Sequence, residues 1–278
     1  MTFGTSWTGL LLVVGGPANI PASPEQFERL LPFVALTLTA GPCLAGLLLT
    51  GLASGRAGLT ELLSRLRRWR MDPRWYAVAL LTAPLIMTAI FLTLSLFSRE
   101  FLPPILTARK TMPPLALAIV TGLAGGFCEE LGWTGFAIPR LRRRHSVLAT
   151  GLIVGVLWGI WHFPVNVWGS AGLSGGVALP VFVPLYLLAG AAQLTAFRVL
   201  MVWVYDRTES LFVATLMHAA LIFSTVQTVL TPATRGWGFL VWFVLSAGVL
   251  WILVGVVALV NGRRLSRPPT GIGGATTR

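Results

Sequence analysis

Apolar runs of bilayer length recur along this chain and leave little of it for anything else. They cover residues 31–53, 75–97, 113–139, 147–168, 179–204, 210–230 and 238–260, with short polar loops between them. A helix rises about 1.5 Å per residue, so each run is close to the ~20 residues that cross a hydrocarbon core about 30 Å thick. With 55% apolar and 11% charged residues and a mean hydropathy of +0.79, the chain has no composition to spare for a sizeable soluble domain. The expected fold class is all-α, a polytopic transmembrane helical bundle of about eight helices plus one cytoplasmic amphipathic helix. It forms a single integral domain over residues 1–262, with a basic tail over 263–278 expected to be disordered.

The eighth helix is the least certain span: residues 7–21 are apolar but short and end in Gly15-Gly16-Pro17, which suits either a first helix or an interfacial one. No basic segment precedes it, so a cleaved signal peptide is not expected. Glu25 to Arg29 reads as a polar loop. From Gly58 to Trp69, Leu59, Leu62, Leu63, Leu66 and Trp69 recur at helical spacing against Arg65, Arg67 and Arg68, the pattern of an amphipathic helix lying in a headgroup layer. Asp72-Pro73 ends it. Gly169 to Gly176 reads as a Gly/Ser-rich loop, and Asp206 to Glu209 as a tight turn leading into the next helix.

The net charge of +12 does not point to nucleic acid, because the arginines cluster beside apolar runs instead of alternating with aromatics. The positive-inside rule accounts for them, with anionic membrane lipid as the attracted partner. Placing residues 65–74, 140–144, 207 and 263–267 on the cytoplasmic side closes the parity of eight spans with both termini inside. Lys110 is the one lysine among many arginines, alanines and glycines, as in a GC-rich bacterial genome, so the bacterial cytoplasmic membrane is the expected location. Cys43 and Cys128 both lie in apolar runs, and no disulfide framework is expected.

Inside this apolar frame, Gly122-Leu-Ala-Gly-Gly-Phe-Cys-Glu129-Glu130-Leu-Gly-Trp-Thr134 carries two adjacent carboxylates. Burying such charge costs several kcal/mol, roughly, so an intramembrane acid is a functional candidate with a partner to be found. Trp158-Gly-Ile-Trp-His162-Phe-Pro-Val-Asn166 supplies an imidazole with Trp158 and Asn166 one turn away on either side, on one helix face. His218 sits in Leu211-Phe-Val-Ala-Thr-Leu-Met-His218. Helical rise places Glu129 about 17 Å inward of Arg140, His162 about 22 Å inward of Val147 and His218 about 14 Å inward of Glu209, a common level near the midplane. A carboxylate and two imidazoles in a wet cavity can activate water and steady an oxyanion, the chemistry of amide hydrolysis. The bland alternatives are a carboxyl paired with an arginine and hydrogen-bonded core histidines. For Glu130 a structural role weighs as much as a catalytic one, since neighbouring helical residues point roughly 100° apart.

These three segments, in this order, resemble the motifs of the CAAX prenyl protease 2 and bacteriocin-processing (CPBP, or Abi) family of intramembrane proteases. The resemblance covers about residues 113–225. It implies that Glu129 activates the water, that His162 assists it and that His218 helps form the oxyanion site, with Glu130, Trp158, Asn166 and Thr134 in support. Two positions depart from the family pattern: Thr134 stands where it has arginine, and Ile222 where it has asparagine. Asn166 or Thr225 could take over the missing donor. No cofactor is expected, because His-Glu-x-x-His spacing is absent; a divalent metal such as zinc on Glu129, His162 and His218 is the alternative. The expected partners are lipid and a peptide or membrane-associated protein substrate. The rival functions are a catalytically inactive relative serving as a membrane immunity or partner-binding protein and, less well supported because no internal repeat is visible, a small transporter.

Overall fold

The computed structural model describes residues 1–107, 112–225, 229–261 and 265. Apart from Leu265, the tail expected over 263–278 lies outside the described residues. Eleven helices follow one another among the described residues: α1 (Thr2–Val14), α2 (Pro24–Leu66), α3 (Pro73–Ser95), α4 (Pro104–Thr107), α5 (Met112–Gly132), α6 (Ile138–Leu141), α7 (Val147–Trp161), α8 (Phe163–Leu173), α9 (Leu179–Thr208), α10 (Leu211–Thr225) and α11 (Gly236–Val260). A π-helical turn, Trp133–Ala137, joins α5 to α6. The all-helical expectation holds for the described residues.

Five of these helical stretches are long and apolar enough to cross a membrane, and the bent pair α7–α8 makes a sixth. α1 and α10 are apolar but have only 13 and 15 residues. Length and composition therefore support five or six of the eight expected spans. The side-chain distribution is inverted relative to a soluble protein. Glu130 and Arg198 are fully buried, while Leu52, Phe97 and Ile252 are exposed at 82%, 84% and 69%. Such an exterior is favourable against lipid. The chain is an integral membrane protein.

Several boundaries differ from the sequence expectation for local reasons. The supposed loop Glu25 to Arg29 is helix, because Ser23 and Gln26 form a reciprocal capping box that starts α2 at Pro24. The amphipathic basic segment is not a separate helix but the second half of α2, turned at Gly55 by a backbone conformation (φ +56°) that favours glycine. Its Leu62 buries against Leu131 and Leu211. The expected loop from Gly169 shrinks because α8 continues to Leu173, and the turn after α9 shrinks to Glu209 and Ser210, whose hydroxyl caps α10 at Val213 N.

The run over 147–168 is likewise not one straight helix: it bends by 54° at His162. Pro164 has no N–H to give Ile160 and crowds the preceding turn, which breaks the ladder. The indole of Trp7 on α1 donates to the Trp161 carbonyl at the bend, 3.0 Å away. Trp158, His162 and Asn166 therefore straddle a corner and do not share one helix face.

Small residues let the site-bearing helices approach closely, the usual means of helix association in lipid. A Cβ on Gly126 of α5 would come within 3.0 Å of the α10 backbone at Thr215 and Ala219, so α5 and α10 pass backbone against backbone beside Glu129 and His218. Gly151, Gly155 and Gly159 of α7 meet Val199, Thr195 and Ala191 of α9 in the same way. Gly155→Leu is therefore expected to destabilise the protein by about 1–3 kcal/mol or more through overpacking. Thermal unfolding in detergent, followed by circular dichroism, would show a lowered midpoint; an unchanged midpoint would contradict this packing.

Candidate active site

The two glutamates end α5 side by side but have different surroundings. Glu130 points to α9 and α10, and both its oxygens are taken. Arg198 Nη1 donates to Oε1 at 2.8 Å and to Oε2 at 2.9 Å, His218 Nδ1 lies 2.7 Å from Oε1, and the Thr134 hydroxyl donates to Oε2. An oxygen already facing a guanidinium can only accept from the imidazole. Nδ1 of His218 therefore carries the proton, and Nε2 is left for the other side of the ring. That nitrogen lies 3.8 Å from Glu129 Oε2.

Glu129 accepts one hydrogen bond on Oε2, from the Trp158 indole at 2.8 Å, and among the described residues Oε1 has no hydrogen-bond partner. Trp158 is the hub of the site. Its ring meets His162 edge-on at 5.7 Å and His218 at 5.0 Å, while the Arg198 guanidinium lies over its face at 4.0 Å. His162, half-buried at the α7–α8 corner, holds Nδ1 2.9 Å from the Trp158 carbonyl and packs against Trp161 at 4.7 Å. Among the described residues no hydrogen bond or ion pair joins His162 to either glutamate.

The structure thus brings Glu129, Glu130, Trp158, Thr134 and His218 into one connected cluster and places His162 against the same indole. Asn166 lies outside it: its Oδ1 accepts from the Tyr186 hydroxyl at 3.2 Å. Thr225 bonds back to the Leu221 carbonyl, and Ile222 directs Cδ1 toward Gly125 of α5. One nitrogen of each histidine faces protein, and among the described residues no three His, Cys, Asp or Glu side chains are spaced to hold an ion.

Arg198 is the residue that the motifs did not reveal. It is completely buried, and Nε and Nη2 have no hydrogen-bond partner among the described residues. The signal was present, since it is the one charged residue within the apolar run 179–204.

Residues 111–224 match the sequence profile of the type II CAAX prenyl endopeptidase Rce1-like family. The similarity is confined to the motif-bearing part of the chain. A stretch of 37 residues is 43% identical to CAAX prenyl protease 2 of Methanococcus maripaludis, covering 13% of this chain and 14% of that protein. The matched segment holds both glutamates, both site histidines, Trp158 and Arg198, while α1 to α4 and α11 lie outside it.

Proposed function

We propose that this chain is an intramembrane endopeptidase in which Glu129 activates a water for peptide-bond hydrolysis. The observation that carries the reading is the division of labour between the neighbouring carboxylates: both oxygens of Glu130 are taken, whereas Glu129 holds Oε2 on the Trp158 indole, 3.8 Å from His218 Nε2, and keeps Oε1 uncommitted among the described residues. In the proposed step Glu129 takes a proton from water as its oxygen attacks the scissile carbonyl. The same carboxyl then passes that proton to the leaving amine. His162 assists the water, and His218, anchored on Glu130 through Nδ1–H, steadies the charge on the former carbonyl oxygen through an Nε2–H when the ring is doubly protonated. Glu130, Thr134 and Arg198 act as positioning residues.

The proposed setting is the bacterial cytoplasmic membrane, with the arginine-rich loops and both termini on the cytoplasmic side. The proposed substrate is a membrane-associated peptide, and the names of the matched family and relative make a prenylated cysteine peptide the first one to try. Matched peptides with and without a farnesyl group are to be incubated with the protein in bicelles and the products read by mass spectrometry. Cleavage of either supports the proposal, and the comparison gives the lipid dependence; folded protein that cleaves neither overturns it.

A second reading, a catalytically silent relative that binds a partner, draws on Ile222. An apolar side chain one turn beyond His218 gives the oxyanion no amide donor. If only the protein carrying Thr134→Arg and Ile222→Asn cleaves, this reading replaces the first.

A further inference from the structure

We propose that a cleft at the arginine-rich end of the bundle binds the phosphate-bearing headgroup of an anionic membrane lipid. The cleft lies between α2 on both sides of its Gly55 turn, α6 with the arginines that follow it, and the C-terminal end of α9, and has a volume of about 370 Å³. That volume is within the range of about 300–1,000 Å³ typical of small-molecule sites.

Its charge is not balanced internally. Each of its three acids is already paired with an arginine: Glu61 with Arg65 at 3.3 Å, Asp206 with Arg142 at 3.0 Å and Glu209 with Arg68 at 2.6 Å. Arg140 and Arg143 line the same cleft and have no carboxylate partner among the described residues. Arg140 is nonetheless held in place. Its guanidinium stacks on Phe136 at 3.7 Å and donates to the Phe136 carbonyl at 3.1 Å and to the Ser54 hydroxyl at 3.4 Å.

A second observation is independent of charge. Thr50, 2% exposed, lines the cleft, and its hydroxyl has no hydrogen-bond partner among the described residues. Two guanidinium groups and one hydroxyl donor suit a phosphate with several acceptor oxygens.

A lipid is favoured over a free anion by what lies on the same stretch of α2. Leu48, Leu52 and Leu59 are exposed at 49%, 82% and 40%. Acyl chains cover such leucines while the headgroup enters the cleft beside them. Arg65 also links the cleft to the catalytic region, because its Nη1 donates to the Gly135 carbonyl in the π turn that follows the glutamates. A bound headgroup would therefore steady the support of α5.

The test compares full-length protein in phosphatidylcholine nanodiscs with and without phosphatidylglycerol, reading the melting midpoint and the lipids retained in native mass spectrometry. Phosphatidylglycerol should raise the midpoint and remain bound. Arg140→Gln with Arg143→Gln should remove at least half of both effects. Arg70→Gln with Arg144→Gln, an equal loss of charge at exposed positions outside the cleft, should remove neither. Thr50→Val, nearly isosteric, gives a second variant should the double variant fold poorly, and it should weaken retention. Equal losses in the two arginine pairs would mean general surface attraction and overturn the proposal. So would a full shift produced by inorganic phosphate in neutral lipid, which would identify a free-anion site, or no shift in wild type.

Discussion

Glu129→Gln should lower turnover by about a hundred- to ten-thousandfold, the range of a lost general base, while leaving the protein folded. The amide keeps the shape of the side chain, and its carbonyl can still accept from the Trp158 indole, so the packing at that position is retained. Only the ability to take a proton from water is lost. Glu130→Gln should behave in the opposite order. It strips the counter-charge from Arg198, which is completely buried, and breaking one side of such a pair costs about 3–5 kcal/mol. Its effect should therefore appear first as a lowered melting midpoint and only then as lost activity. Both variants are to be measured for cleavage rate and for thermal unfolding in the same detergent. Wild-type turnover in Glu129→Gln would remove that residue from the proposed chemistry, and a stable but inactive Glu130→Gln would exchange the two roles.

The distinction between the glutamates also shows where sequence information stops. Rise per residue is enough to bring Glu129 and His218 to the same level, and they do meet, 3.8 Å apart. It says nothing about which of two neighbours roughly 100° apart on a helix faces which partner. The azimuth is decided by the close passage of α5 against α10 at Gly126, a contact between residues far apart in the chain. The helices themselves were legible because lipid imposes a length on apolar runs, and the loops blurred wherever local chemistry extended a helix. Ser23 with Gln26 did this for α2. Pro164 had the reverse effect at His162, where an apolar run hid a corner that the proline foretold. Arg198 belongs to none of the three motifs, although a lone cation in a membrane run carries the same meaning as a lone acid.

Arg198 also accounts for one departure from the motif pattern. Position 134 is one turn beyond Glu130, near enough for an arginine there to pair with the carboxylate along the helix. Here Thr134 supplies a hydroxyl instead, and the guanidinium comes across from α9 to the same carboxylate. If the cluster needs one guanidinium regardless of its source, Arg198→Met should leave Glu130 uncompensated, cost about 3–5 kcal/mol and abolish cleavage. Adding Thr134→Arg to Arg198→Met should then restore much of both stability and turnover. Thr134→Arg alone should gain little, since it crowds a second guanidinium onto an oxygen pair that is already filled. A readout specific to positioning is the ¹⁵N shift of His218, which should report Nδ1–H in wild type and in the double variant. In Arg198→Met, where Glu130 no longer has a fixed counter-charge, that tautomer should be lost. Failure of the second substitution to recover activity in a folded double variant would mean that Arg198 acts through its stacking on Trp158 instead, 4.0 Å above the ring that holds Glu129.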